Sequence, residues 1–102
     1  MAAGFAQLKV DETMVEKLHR TGKDIPTPVQ ERAIPALLNG RDVIARAQTG
    51  VGKTLSFVIP LFDKVDPQKE FVQALILSPT RELAQQTAGE IRKLEGDTGI
   101  RT

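Results

Sequence analysis

The run Ala47-Gln48-Thr49-Gly50-Val51-Gly52-Lys53-Thr54 constrains this chain more than any other segment. It follows a short apolar β-branched stretch, Val43-Ile44-Ala45, and precedes a long apolar one containing Leu55, Phe57, Val58, Ile59, Leu61 and Phe62. The order is therefore strand, glycine loop, helix, and this order predicts an α/β fold. Such a loop has a chemical use. Glycines allow positive φ and close approach of the backbone to oxygen atoms, and the first N–H groups of the following helix point at an anion. Gly50 and Gly52 stand where a phosphate cradle needs them. Lys53 then puts a point charge on the β- and γ-phosphates, and Thr54 offers its hydroxyl to a bridging magnesium ion. The alternative is a glycine-rich turn with an incidental Lys-Thr at a helix start.

The flanking segments extend the pattern. Asp11 caps a helix whose apolar positions are Met14, Val15 and Leu18 and which stops near Thr21-Gly22. Thr27-Pro28 opens a second, with Val29, Ala33, Ile34, Leu37 and Leu38 on one face, a bend expected at Pro35, and a stop at Asn39-Gly40. The helix after the glycine loop should kink or end at Pro60, which lacks an N–H. Asp66-Pro67-Gln68-Lys69 reads as a loop and Ala74-Leu75-Ile76-Leu77 as a second buried strand. Thr80 caps a last helix carrying Leu83, Ala84, Thr87, Ile91 and Leu94, with Leu83 and Ala84 expected in the core. Gly89 weakens that helix by about 1 kcal/mol relative to Ala. A third strand would start at Ile100-Arg101-Thr102.

Composition excludes several chemistries. The 102 residues contain no Cys and one His, which removes disulfides, thiolate metal sites, thiol catalysis and His-based metal clusters. Any metal would be a hard cation held by oxygens, and magnesium is the candidate. Fourteen Lys and Arg against thirteen Asp and Glu give a net charge of +1, so contact with a nucleic acid must come from a few placed groups. Hydrophobic residues at 40% and charged residues at 26% suit a soluble globular protein. The N-terminal segment has no secretory pattern and no stretch reaches membrane-span length, which predicts a cytoplasmic location.

Three motifs carry a family resemblance over nearly the whole chain. The glycine loop begins with Ala rather than Gly, giving Ala-x-x-Gly-x-Gly-Lys-Thr. Upstream, Gly22-Lys23-Asp24-Ile25-Pro26-Thr27-Pro28-Val29-Gln30 resembles the adenine-reading Q motif, and downstream lies Pro79-Thr80-Arg81-Glu82-Leu83-Ala84. Together they are similar to the front end of DEAD-box ATP-dependent RNA helicases. The resemblance implies a P-loop NTPase, a RecA-like parallel sheet with flanking helices, cut after the start of its third strand. Residues 1–40 would form the Q-motif helical region and 41–102 the P-loop βαβα unit of a partial ATP-binding domain.

It further implies ATP and Mg2+ as cofactors. Phe5 and Gln30 would hold the adenine. Gln48, Thr49, Gly50, Val51, Gly52, Lys53 and Thr54 would hold the phosphates, Lys53 and Thr54 would serve catalysis, and Thr54 would meet the metal. Pro79, Thr80 and Arg81 would hold an RNA backbone, independent of sequence. Local readings compete at several of these positions. Gln30, whose amide can both donate to and accept from adenine, can instead close a capping box on Thr27. Phe5, 25 residues before Gln30, can be an anchor for the N-terminal segment. Thr80 can be a plain N-cap, Arg81 a surface charge and Glu82 a partner for the helix dipole. Lys23 stands where the family usually has an aromatic residue.

The family's Asp-Glu-Ala-Asp motif, its Ser-Ala-Thr motif and the arginines of a second lobe do not occur in these 102 residues, so hydrolysis by them alone is not expected. In the family fold the strand before the phosphate loop is flanked by later strands, so unpaired edges here invite self-association. A stand-alone nucleotide-binding module without hydrolysis is the alternative function.

Overall fold

The computed structural model describes residues 4–46, 51–96 and 98–102. A 3-10 helix, Phe5–Leu8, is followed by four α-helices: α1 (Glu12–Arg20), α2 (Pro28–Leu38), α3 (Val51–Lys64) and α4 (Arg81–Glu95). Their limits follow local chemistry. Asp11 Oδ2 accepts from the Thr13 N–H at 3.1 Å and starts α1. Thr27 and Pro28 open α2, and Thr80 Oγ1 accepts from the Leu83 N–H at 3.1 Å to open α4. Two helices end alike. Gly22 (φ 82°) and Gly40 (φ 80°) take the left-handed region, and the next residue donates back over the turn, Lys23 to Leu18 at 2.8 Å and Arg41 to Ala36 at 3.0 Å. Both are Schellman stops.

The core is one contiguous cluster drawn from every helix: Phe5, Met14, Leu18, Ile34, Leu55, Val58, Ile59, Ile91 and Leu94 are all buried. The most extensive helix pairing is α2 on α3, and smaller contacts join α3 to α4 and α1 to α4. Lys17 Nζ donates to the Leu94 carbonyl at 3.1 Å, so α1 satisfies the C-terminal end of α4, where a cation is favoured by the helix dipole.

Pro60 does not end α3. α3 runs through Pro60 to Lys64, and α2 runs through Pro35. Pro60 is itself buried, so packing against the core offsets the hydrogen bond its ring cannot make.

The expected strands are the larger correction. Among the described residues no strand is formed, neither at 43–45, at 74–77 nor at 100–102. Ile44 is fully exposed, and Leu75 and Leu77 are 79% and 85% exposed, where buried strands were expected. A strand requires a neighbour for its N–H and C=O groups, and these segments do not pair with each other. The same open side explains α4. Its later residues Ile91 and Leu94 are buried, whereas Leu83 (42% exposed) and Ala84 lie at the surface instead of in the core.

Candidate nucleotide site

A cavity of about 390 Å³ opens where the 3-10 helix, the turn after α1, and the starts of α2 and α3 converge. Phe5, Lys23, Gln30, Gly52 and Leu55 are among its walls. Residues separated by up to 50 positions in the sequence thus meet in one place, including the predicted adenine contacts Phe5 and Gln30.

Gln30 is 2% exposed and makes two bonds. Its Oε1 accepts from the Thr27 N–H at 2.8 Å, and its Nε2 donates to the Gly52 carbonyl at 3.2 Å. The capping role is therefore real, and it does not exhaust the amide. A carboxamide has two acceptor lone pairs and two N–H donors, so one N–H and one lone pair remain for a ligand. The bond to Gly52 also fastens the start of α2 to the first turn of α3.

Gly52 is required for packing. A Cβ there would stand 3.0 Å from Thr27 Oγ1 and 3.3 Å from its methyl carbon, so any side chain would push Thr27 away. Lys53 and Thr54 follow in the first turn of α3, both half-buried. The predicted contacts Gln48, Thr49 and Gly50 lie outside the described residues, as does the side chain of Val51.

Pro79, Thr80 and Arg81 are exposed and do not line the cavity. Thr80 acts as the N-cap of α4, one of the two roles open to it. A larger open groove of about 660 Å³ lies between residues 61–78 and α4, bordered by Leu75, Ile76 and Ile91. It contains none of the predicted adenine or phosphate contacts; its size reflects the exposed apolar segments.

Sequence reasoning missed Asp24, Ile25 and Leu55 as walls, and it missed His19. His19 Nδ1 pairs with Asp24 Oδ1, and this hydrogen bond, followed by the carboxylate's charge, raises the His19 pKa from its ordinary 6.5. The available signal was the Gly22 stop, which folds the residues after α1 back beside its last turn. Among the described residues no group of three or more acidic or His side chains could hold a metal ion, and no helix is long and apolar enough to cross a membrane.

Comparison with known proteins decides the family. Residues 27–102 match the model of the DEAD/DEAH box helicases. This chain belongs to that family. It is 43% identical over 97 residues to the ATP-dependent RNA helicase CshA of Limosilactobacillus reuteri, a match covering 95% of this chain and 20% of that protein. A crystal structure of a DEAD box protein from Methanococcus jannaschii superposes with a TM-score of 0.85 at 40% identity, covering 92% of this chain and 26% of the other. S. cerevisiae Dbp5 bound to RNA and ADP BeF3 gives a TM-score of 0.85 at 33% identity, covering 95% and 25%. The chain thus spans about a fifth of the length of the curated relatives it matches.

Proposed function

We propose that these residues form the ATP-binding front part of an ATP-dependent RNA helicase, with the base of ATP in the cavity between Phe5 and Gln30 and its phosphates on loop 47–54. The observation that carries this reading is the direct bond from Gln30 to Gly52, which joins the cavity to the start of the phosphate helix. The cavity volume is within the range of small-molecule sites, roughly 300–1,000 Å³. Gln30 retains one donor and one acceptor, the pair that distinguishes adenine from guanine. Phe5, an aromatic wall, supplies apolar surface to a base.

The first turn of α3 fits phosphates and their metal. Its N–H groups face outward from the helix start, Lys53 brings a positive charge, and Thr54 brings a hydroxyl oxygen. The Thr54 hydroxyl would hold Mg2+, which when bound would neutralise phosphate charge. Lys53 would stabilise negative charge on the γ-phosphate; ATP hydrolysis and RNA remodelling would belong to the whole protein.

The remaining expectations belong to the same reading. Pro79, Thr80 and Arg81, exposed at the N-terminus of α4, would take an RNA backbone phosphate without reading its sequence. Segments 43–45 and 74–77 would be strands of a RecA-like parallel sheet, with 1–40 as the Q-motif region and 41–102 as the P-loop unit. Their exposed Ile44, Leu75 and Leu77 would drive self-association when nothing else covers them. A cytoplasmic location fits this role.

Titration of a fluorescent ADP analogue against the wild type, Lys53→Ala and Gln30→Ala tests the site. Tight binding by the wild type, loss with Lys53→Ala, and loss of preference over a guanine analogue with Gln30→Ala are expected. Equal signals from wild type and Lys53→Ala would remove the nucleotide reading.

A further inference from the structure

The wall of the cavity formed by residues 22–25 is fastened to α1 where it begins and lies against Gly4 further on. Backbone bonds across the Gly22 stop hold it to α1: the Gly22 N–H donates to the His19 carbonyl at 2.9 Å and the Lys23 N–H to the Leu18 carbonyl at 2.8 Å. On the other side, the Asp24 carbonyl oxygen lies 3.7 Å from where a Cβ on Gly4 would stand, against the residue that leads into Phe5. The His19–Asp24 pair closes the outer edge of this arrangement. The charged residues among its walls are Lys23 and Asp24, adjacent and opposite in sign.

We propose that His19 is a positioning residue whose protonation state, acting through Asp24, sets how strongly the cavity holds an anionic nucleotide. This rests on the nucleotide reading of the cavity. With the ring protonated, Nδ1–H donates to Asp24, segment 22–25 is held, and the Asp24 charge is balanced. Lys23 then faces the ligand as an uncompensated cation. With the ring neutral, the clamp weakens, and the Asp24 carboxylate stands unbalanced at the base end of a ligand whose net charge has its own sign.

The other charged group acting on His19 is Glu16, on the preceding turn of α1 and itself bonded to Arg20 at 2.5 Å, and Lys23 adjoins Asp24 in the chain. The 3-10 helix packed against the loop, Phe5–Leu8, has no ionisable side chain. Asp24 raises the His19 pKa and Glu16 adds to it, so the change of state falls above 6.5. Both partners are mostly exposed, 71% and 58%, which limits the coupling to roughly two- to five-fold in affinity.

His19 is the only histidine in the chain, so its ring protons give an isolated NMR signal. The test follows that signal against pH with and without saturating ADP, and measures the affinity of the fluorescent ADP analogue over about pH 6–9. Linkage requires ADP to move the His19 midpoint upward. Wild-type affinity should fall roughly two- to five-fold as pH rises through that midpoint, beyond the change shared by all variants through the ligand's own phosphate. His19→Gln and Asp24→Asn should each abolish this extra fall. An unmoved midpoint, or the same fall in all three proteins, overturns the proposal while leaving the nucleotide reading intact. Absence of ADP binding by the wild type overturns both.

Discussion

Val58 and Leu77 are both large aliphatic residues in strongly apolar segments, yet Val58 is fully buried and Leu77 is 85% exposed. The first lies in α3, whose backbone groups bond within the helix and whose apolar face is covered mainly by α2, with α4 beside it. The second lies in a segment whose N–H and C=O groups need neighbouring strands before its side chains can be covered at all. Burial of apolar residues is thus conditional on backbone satisfaction. The helices meet the condition with their own residues, and segments 43–45 and 74–77 do not.

Stability measurements can break that contrast most directly. Leu18→Ala, in the fully buried core, should cost about 2–5 kcal/mol by urea denaturation, whereas Leu77→Ala should stay within about 0.5 kcal/mol. Similar losses at both positions would mean that the 74–77 segment is covered in solution. Gly52→Ala, where a Cβ would press on Thr27, is expected to destabilise by about 1–3 kcal/mol and to weaken ADP binding in parallel.

Smaller effects sharpen the boundary within α4. Thr80→Ala removes a side-chain cap and should cost roughly 1 kcal/mol. Replacing both Leu75 and Leu77 by Ser should leave folding unchanged but shift light scattering toward monomer; unchanged mass would remove the exposed segments as the cause of association. The smallest effect belongs to His19. Because its folded pKa is raised, its pair with Asp24 contributes stability that is complete below about pH 6.5 and lost as pH rises through the raised value. A shallow decline in melting temperature above that point should be absent in His19→Gln.

What could be read from the sequence divides along the same line. Asp11, Thr27-Pro28, Gly40 and Thr80 marked helix ends because caps and stops act over four or five residues. The helical stripe of α4 was also legible, but whether Leu83 is buried depends on what lies across from it, which no local pattern contains. The segments 43–45 and 74–77 have strand composition and lack strand partners here, so composition and outcome part company. At the site, Phe5, Gln30 and Gly52 were identified through motif spacing and do converge. His19 was not, because its role depends on a glycine turn bringing Asp24 back alongside α1.

The bond from Lys17 to the Leu94 carbonyl joins positions 77 residues apart. A ribosome extends a chain at roughly 5–20 residues per second, whereas a helix of this length forms in about a microsecond. During synthesis, the residues of α1 are therefore made several seconds before the end they cap on α4. A nine-residue helix is marginal in water by itself, so α4 gains this cap, and α1 this part of its cover, only once residue 94 has been added.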